Sequence, residues 1–236
     1  MMRFFVVSLL LVVFQSGLIS CNAAKHTVMA SQKDGSTADT LIRDGFALVF
    51  VQQDTKFDTT VASRLQEVFF NVYPPLVAAF NPEAVRQVTL TIDTAYDGVA
   101  YAHDGRVVIS QTWLEKKPGD VDVVTHEVMH IVQAYPSGSG PGWLVEGIAD
   151  YVRYKYGIDN AGAGWSLPDV QNDHHYSQSY RITARFLDWI ETNRKPGLVK
   201  VLDTAMRTRA YTDGIWEAET GLDLDGLWAV YTADFD

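Results

Sequence analysis

Apolar runs in the first half of the chain predict short β-strands. Apolar residues fill most of Gly45–Val51 and alternate with threonine over Val88–Ile92, as in strands with buried faces. Asp104-Gly105 separates two further short β runs, and this dipeptide is a strong signal of a two-residue hairpin turn. One helix is predicted among these strands, at Thr60–Ala79, where Pro74-Pro75 interrupt the helical spacing of apolar residues.

The second half of the chain has helical periodicity, with apolar residues every three or four positions. The first predicted helix of this half contains Thr125–His130 and can continue to Tyr135. The others are Trp143–Tyr154, Ser179–Thr192, Gly197–Arg207 and Leu222–Phe235. Strands with one helix first and mainly helices afterwards indicate the α+β class. We expect one domain, or a compact two-lobed one, over residues 45–236.

The segment Thr125–His130 has the pattern of a zinc site with its own general base. His126 and His130 are four residues apart on the predicted helix, so both imidazoles lie on one face and can bind one tetrahedral Zn²⁺. Glu127 projects toward the edge of this site, where it can take a proton from a zinc-bound water. The pattern is short and also occurs by chance, so its surroundings must decide.

A second helix supplies the acidic residues that such a site needs. Prolines and glycines in Pro136–Gly142 end the first helix, and the helix that follows carries Glu146 and Asp150 on one face. We expect Glu146 to be the third metal ligand and Asp150 to accept the other N–H of a ligand histidine. The reverse assignment stays open, because both carboxylates face the same way. Three protein ligands and one water make the catalytic form of a zinc site.

The run Val145–Arg153, downstream of the two histidines, resembles the basic secretory protein family of plant and bacterial zinc peptidases. Supporting stretches are Asp97–Tyr101, Tyr180–Asp188, Thr220-Gly221 and Leu227–Tyr231, so the resemblance covers about residues 45–236. It implies a zincin-like metallopeptidase domain with a small N-terminal mixed sheet, a mainly helical C-terminal half and an active-site cleft between them. The wider glutamate-zincin group also implies a Glu ligand followed by an Asp one turn later.

The resemblance further implies where a substrate would lie. In zincins the strand just before the metal helix borders the cleft and pairs with an extended peptide, and Val107–Ser110 is the candidate for that edge; an ordinary sheet edge is the alternative. A peptidase of this type also needs a donor for the oxyanion. Tyr180 is the first candidate by its place in the family-like run, followed by Tyr176 and His175.

The N-terminus has the features of a signal peptide over residues 1–20. Arg3 precedes a mostly apolar stretch, Phe4–Ile19, which is too short for a convincing transmembrane helix. Leu18–Cys21 resembles a bacterial lipoprotein signal, which predicts that Cys21 carries lipid. An ordinary secretory cleavage near Ala24 is the alternative. Cys21 is the only cysteine of the chain, which excludes an intrachain disulfide.

Charge and composition limit the possible partners. Residues 21–44 are predicted to be the lipidated cysteine and a polar, flexible tether. The net charge of −10 disfavours nucleic acid and anionic lipid as partners, so membrane attachment is expected only through lipid at Cys21. It also departs from the basic surface that gives the family its name. The expected location is extracytoplasmic, anchored to an outer membrane or cell surface, or secreted.

Together these features predict a monomeric zinc metallopeptidase that hydrolyses peptides or proteins with a water activated by Glu127. One alternative is a non-catalytic zinc-fold lipoprotein that binds glycans or proteins, although such a binder has no need of Glu127. Another is a zinc hydrolase of non-peptide acyl bonds, which would use the same residues. The sequence gives no indication of side-chain preference, of endo- or exo-cleavage, or of the biological target.

Overall fold

The computed structural model describes residues 28–31 and 36–235. The predicted signal peptide and Cys21 lie outside these residues. Within the described part of the chain, no helix is long and apolar enough to cross a membrane.

A mixed six-stranded sheet forms the N-terminal layer. Its strands are β1 Val28–Ser31, β2 Thr37–Arg43, β3 Phe46–Gln52, β4 Gln87–Asp93, β5 Ala100–His103 and β6 Arg106–Ser110. Their order across the sheet is β1-β2-β3-β4-β6-β5. β3, β4 and β6 are parallel neighbours, whereas β1–β2, β2–β3 and β5–β6 are antiparallel pairs.

The prediction of a flexible tether over residues 21–44 is wrong for residues 28–31 and 37–43, which form β1 and β2. Residues 37–43 form β2, which pairs with β3 from Thr37↔Gln52 to Arg43↔Phe46. The turn between the two strands is Asp44-Gly45, with φ angles of 50° and 79°. Asp-Gly is a hairpin signal in its own right, because both positions tolerate positive φ. The domain therefore begins before residue 45, and Leu41 packs against its core.

The prediction that Val107–Ser110 forms the edge of the sheet is also wrong, because the other strand of its hairpin forms that edge. Val107–Ser110 belongs to β6, which lies between β4 and β5 and is interior. The turn at Asp104-Gly105 has positive φ at both residues and places β5 on the outside of β6. Val107 and Ile109 are fully buried, as expected of an interior strand. The open edge next to the C-terminal half is therefore β5.

The helices are α1 Thr59–Phe80, α2 Gln111–Lys116, α3 Val123–Gln133, α4 Gly142–Tyr156, α5 Tyr180–Asn193, α6 Leu198–Arg207, α7 Gly214–Thr220 and α8 Leu224–Ala233, with a short 3-10 helix at Tyr176–Gln178. α1 continues through Pro74-Pro75, where an interruption was expected. Tyr73 and Leu76 on either side are fully buried, and we attribute the continuity to this packing, which offsets the lost backbone hydrogen bonds.

The arrangement places α3 between the two halves of the molecule. It packs against α1, against β5 of the sheet and against α4, which in turn packs against α5. The predicted α+β class, with a small mixed sheet followed by a mainly helical half, is therefore confirmed. The face of α3 that looks between β5 and α4 carries the two histidines.

Candidate metal centre

Three side chains on α3 and α4 converge at one point. The Nε2 atoms of His126 and His130 are 3.1 Å apart. Oε2 of Glu146 lies 3.2 Å from Nε2 of His126 and 3.5 Å from Nε2 of His130. No other group of three His, Cys, Asp or Glu side chains converges in this way within the described residues. Two imidazoles and a carboxylate make a donor set that suits Zn²⁺.

The turn between α3 and α4 makes this convergence possible. α3 ends at Gln133, its C-cap Ala134 has a φ of 44° in the left-handed region, and α4 begins after the extended Pro141. The two helices pack side by side, so the i and i+4 positions of α3 face those of α4. The four-residue spacing within each helix, together with the tight connection, produces the site.

Both histidines are oriented through their second ring nitrogen. Nδ1 of His126 lies 2.7 Å from Oδ1 of the buried Asp150. Nδ1 of His130 lies 2.7 Å from Oε1 of Gln133, whose Nε2 donates to the carbonyl of Val145 at 3.0 Å. Because a carboxylate only accepts, the proton of His126 is expected on Nδ1, leaving the Nε2 lone pair for a metal ion. Glu146, and not Asp150, contacts the two Nε2 atoms.

The carboxylates create a field that favours a cation at this point. Burial alone would lower the pKa of His126, but hydrogen bonds to Asp150 and Glu146 outweigh it and raise the pKa to about 10. Burial alone would raise the pKa of Glu146, but the hydrogen bonds from His126 and His130 hold it well below its usual range. The same field favours a proton or a metal ion at Nε2.

Glu127 lies beside this group and is 5% exposed. Burial raises the pKa of its carboxyl above the usual range, although the two histidines act in the opposite direction. Its Oε2 is buried and has no hydrogen-bond partner in the part of the chain that the structure describes. An unpaired buried polar atom costs roughly 1–3 kcal/mol, so this oxygen needs a ligand, a water or a reacting group.

Tyr180 lies over the site from the first turn of α5. Its ring stacks on that of His126, with centroids 6.2 Å apart and planes 18° from parallel. The charge of Glu146, followed by burial, raises the pKa of its hydroxyl, so the phenol keeps its proton and can donate. Ser179 and Tyr180 have φ angles of 66° and 49°. Two consecutive non-glycine residues in this region store backbone strain, which is a feature of functional sites.

The two alternative oxyanion donors lie elsewhere. The Tyr176 hydroxyl donates to Asp225 at 2.7 Å, and its ring packs between Trp143 and Trp228. The ring of His175 contacts that of Tyr176, and its Nδ1 lies 2.7 Å from the Ser177 hydroxyl. Of the three candidates, Tyr180 is the one that lines the cleft.

The group of His126, His130 and Glu146 lies on the floor of a cleft of about 1300 Å³. β5 and the preceding Val99 form one wall, α3 forms the floor, and α4 with the start of α5 forms the opposite wall. From the segment after α4, Trp165 reaches the cleft. A groove with an open strand on one side can hold an extended peptide.

Comparisons with protein families and with solved structures show the family and the fold of the chain. The family model BSP, described as a peptidase of plants and bacteria, matches residues 27–231. The chain belongs to this family. The match confirms the resemblance found in the sequence, and its start at residue 27 agrees with the position of β1 and β2 in the domain. A comparison with curated protein sequences found no match.

Solved structures share the fold of this BSP chain at low sequence identity. A mutant of a two-domain M1 zinc metallopeptidase bound to L-tryptophan gives a TM-score of 0.50 at 11% identity, covering 88% of this chain and 51% of that one. An aminopeptidase N family protein from Idiomarina loihiensis gives 0.51 at 12% identity, covering 82% and 46%. The chain therefore spans about half the length of these proteins. The likeness confirms the zincin-like fold.

Close packing between α4 and α5, which no pattern in the sequence predicts, positions Tyr180. A Cβ atom on Gly147 would lie 2.2 Å from Cγ2 of Thr183. Thr183 is fully buried, and its hydroxyl donates to the carbonyl of Tyr176 at 2.5 Å. Gly147 therefore allows α5 to approach α4 closely enough for Tyr180 to reach His126.

Gln133 was also missed, although the sequence contains a signal for it. It follows His130 by three residues, so the two side chains lie on the same face of α3. It is 1% exposed and bridges that histidine to α4. Polar residues three or four positions from a ligand histidine are therefore candidates for its hydrogen-bond partner.

Proposed function

We propose that this BSP-family chain is a zinc-dependent metallopeptidase that hydrolyses a peptide bond in an extended substrate held between β5 and α3. Membership of a peptidase family supports the reaction type. The observation that carries the proposal is the buried, unpaired Oε2 of Glu127 beside a His-His-Glu group. Burial of this unpaired carboxylate oxygen lowers the stability of the fold, and a protein that only bound zinc or a ligand would gain nothing from it.

His126, His130 and Glu146 would hold the metal, with Asp150 and Gln133 fixing the two imidazole rings. Their ligand atoms all lie within 4.8 Å of one another, a spacing that suits one ion. Bound zinc would supply Lewis acidity, which polarises the scissile carbonyl and makes water a better nucleophile near neutral pH. The Nδ1 partners restrict each histidine to one orientation and raise its basicity.

Glu127 acts as the general base in this proposal. Burial raises the pKa of its carboxyl, which brings it nearer to the range in which a base can take a proton and later release it. It accepts a proton from the attacking water through Oε2 and returns that proton to the leaving amine. Tyr180, with its hydroxyl kept protonated near Glu146, donates a hydrogen bond to the oxyanion that develops on the carbonyl.

The open side of β5 is the proposed support for the substrate backbone. β5 pairs with β6 on one side only, so the backbone groups on its other side can pair with an extended peptide. Tyr101 on this strand is 46% exposed and Val99 just before it is 40% exposed. These side chains would contact substrate side chains across the cleft.

On sequence grounds alone, we also propose that the enzyme is exported and anchored through lipid at Cys21. Labelling cells with a radioactive fatty acid should mark the wild type and leave Cys21→Ser unlabelled. An unlabelled wild type would refute the anchor and leave the proposal for the site unaffected.

Metal content and peptidase activity of matched variants test the site. We expect about one zinc per chain in the wild type and a loss of zinc in His130→Ala. Glu127→Gln should keep its zinc and lose at least about 100-fold in kcat, since general acid–base catalysis contributes roughly 10²–10⁴-fold. Glu83→Gln, which makes the same change at an exposed position, is the control. Activity should disappear with a chelator and return with added zinc.

Two results would refute the proposed function. Full peptidase activity in zinc-loaded Glu127→Gln would show that Glu127 is not the general base. Binding of a peptide library in the cleft without cleavage, in the presence of zinc, would favour a non-catalytic binding protein.

A further inference from the structure

One end of the cleft differs in charge from the metal site. Lys117, Arg153 and Arg181 line the cleft with Trp113 and Trp165. Contacts through Asp120, Trp165 and the neighbouring Ser166 bring them together at this end. Carboxylates dominate the metal site, and the chain as a whole has a net charge of −10. A group of positively charged side chains inside the cleft of such an acidic protein indicates that this end binds a negatively charged group.

Arg153 is fixed in place and is 5% exposed. Its Nη2 donates to Oδ1 of Asp120, its Nε donates to Oδ1 of Asn160 at 3.1 Å, and its guanidinium lies 4.6 Å from the centroid of the Trp165 ring. Trp113 donates from Nε1 to the other oxygen of Asp120 at 2.8 Å. Nη1 of Arg153 makes no hydrogen bond within the described part of the chain. A guanidinium held on two of its nitrogens can offer the third to a ligand in the cleft.

Lys117 and Arg181 add charge that no acidic residue compensates. Both side chains are exposed, and neither forms an ion pair with any described residue. The one hydrogen bond described for the Arg181 side chain is from Nη1 to the carbonyl of Ser166, at 3.3 Å. Asp120 balances only Arg153, so this end of the cleft has a net positive charge.

We propose that this cationic end of the cleft, formed by Lys117, Arg153 and Arg181, binds a carboxylate of the peptide substrate. The carboxylate is either an acidic side chain or the C-terminal carboxylate of a short peptide. Arginine binds carboxylates through paired hydrogen bonds, and the buried position of Arg153 strengthens them. The inference rests on the proposed peptidase function, because it names the substrate class for that cleft.

The spacing along α4 gives the position of this subsite. Arg153 follows Glu146 by seven residues, which is two helical turns on the same face. At a rise of about 1.5 Å per residue, the two positions are roughly 10 Å apart. An extended peptide covers this distance in about three residues. The carboxylate should therefore lie about three residues from the scissile bond.

The sheet indicates which side of the scissile bond this is. The carbonyl of Val99, just before β5, accepts a hydrogen bond from Ser110, and the α2 helix that follows carries Trp113, the partner of Asp120. The Val99 end of β5 therefore lies toward Arg153. A peptide that pairs with β5 in the more stable antiparallel direction runs toward this end. The carboxylate is then on the C-terminal side of the cleaved bond.

A matched set of peptides tests the inference. One pair has Glu or Gln three residues after the scissile bond, and a second pair ends at that position with a free carboxylate or an amide. We expect kcat/KM to be at least about tenfold higher for the carboxylate in one pair, as for a hydrogen bond to a charged group. The pair that shows the difference identifies the source of the carboxylate.

Variants assign the preference to the cationic end. Lys117→Gln combined with Arg181→Gln should reduce the preference severalfold, and Arg153→Lys, which keeps a cation beside Asp120 but removes the third guanidinium nitrogen, should reduce it further. Lys56→Gln, at an exposed position outside the cleft, is the matched control and should keep the full preference.

Binding measurements separate this inference from the proposed function. Zinc-loaded Glu127→Gln should bind the carboxylate peptide at least about tenfold more tightly than its amide or Gln counterpart, and the difference should shrink at high salt. Such a difference, without cleavage by the wild type, supports the subsite and refutes the peptidase. Cleavage and binding that are both indifferent to the carboxylate refute the subsite and leave the peptidase intact.

Discussion

Replacement of Gly147 by alanine should push α5 away from α4 and move Tyr180 away from the candidate metal ligands. The new Cβ would lie 2.2 Å from Cγ2 and 2.6 Å from Cβ of Thr183, whereas carbon atoms in ordinary contact are about 3.5–4.0 Å apart. Thr183 is buried and held by its hydrogen bond to Tyr176, so it cannot turn away freely. The helices must therefore separate by about 1 Å or more.

The effect on activity should exceed the effect on stability. Overpacking of a core costs about 1–3 kcal/mol, and the better helix propensity of alanine offsets about 1 kcal/mol of that. The net loss in the free energy of unfolding is then about 0–2 kcal/mol, and the chain still folds. A displacement of about 1 Å at a catalytic group, by contrast, can reduce the rate about 100-fold.

The assay compares kcat, zinc content and thermal midpoint for Gly147→Ala and Gly142→Ala. Gly142 is on the same helix, and a Cβ there would meet no atom within 4 Å, so this control should behave as the wild type. Adding Thr183→Ser removes the nearest methyl group and keeps the hydroxyl, which should restore part of the lost kcat. A kcat for Gly147→Ala within about twofold of the control would refute the idea that this contact positions Tyr180.

Two further predictions concern single hydrogen bonds. Gln133→Met, which keeps the volume but loses the contacts with His130 and Val145, should raise the Kd for zinc about 10–100-fold in a chelator competition; an unchanged Kd would contradict the orienting role of Gln133. Asp58→Ala removes the N-cap of α1, which accepts from two backbone N–H groups, and should lower the free energy of unfolding by about 1 kcal/mol in denaturant melts with kcat unchanged; no loss of stability would show that this cap contributes little.

Residue patterns alone indicated most of the longer helices, the strands near the middle of the sheet and the candidate metal site. Helical periodicity and the four-residue spacing of His126 and His130, and of Glu146 and Asp150, depend only on the geometry of one helix at a time. The hairpin at Asp104-Gly105 depends only on local φ preferences. These features are short-range, so the residues themselves specify them.

Long-range packing sets which elements meet and at what distance. Periodicity could not tell which arm of the β5–β6 hairpin lies at the open edge, because the pairing of β6 with β4 is a long-range contact. Nor could it show that Gly147 fits against Thr183, or that Asp120 and Trp165 hold Arg153 in the cleft. Contacts between residues far apart in the chain depend on how whole helices and strands pack. The sequence therefore indicated a candidate metal site, whereas the packing determined the shape and the lining of the cleft beside it.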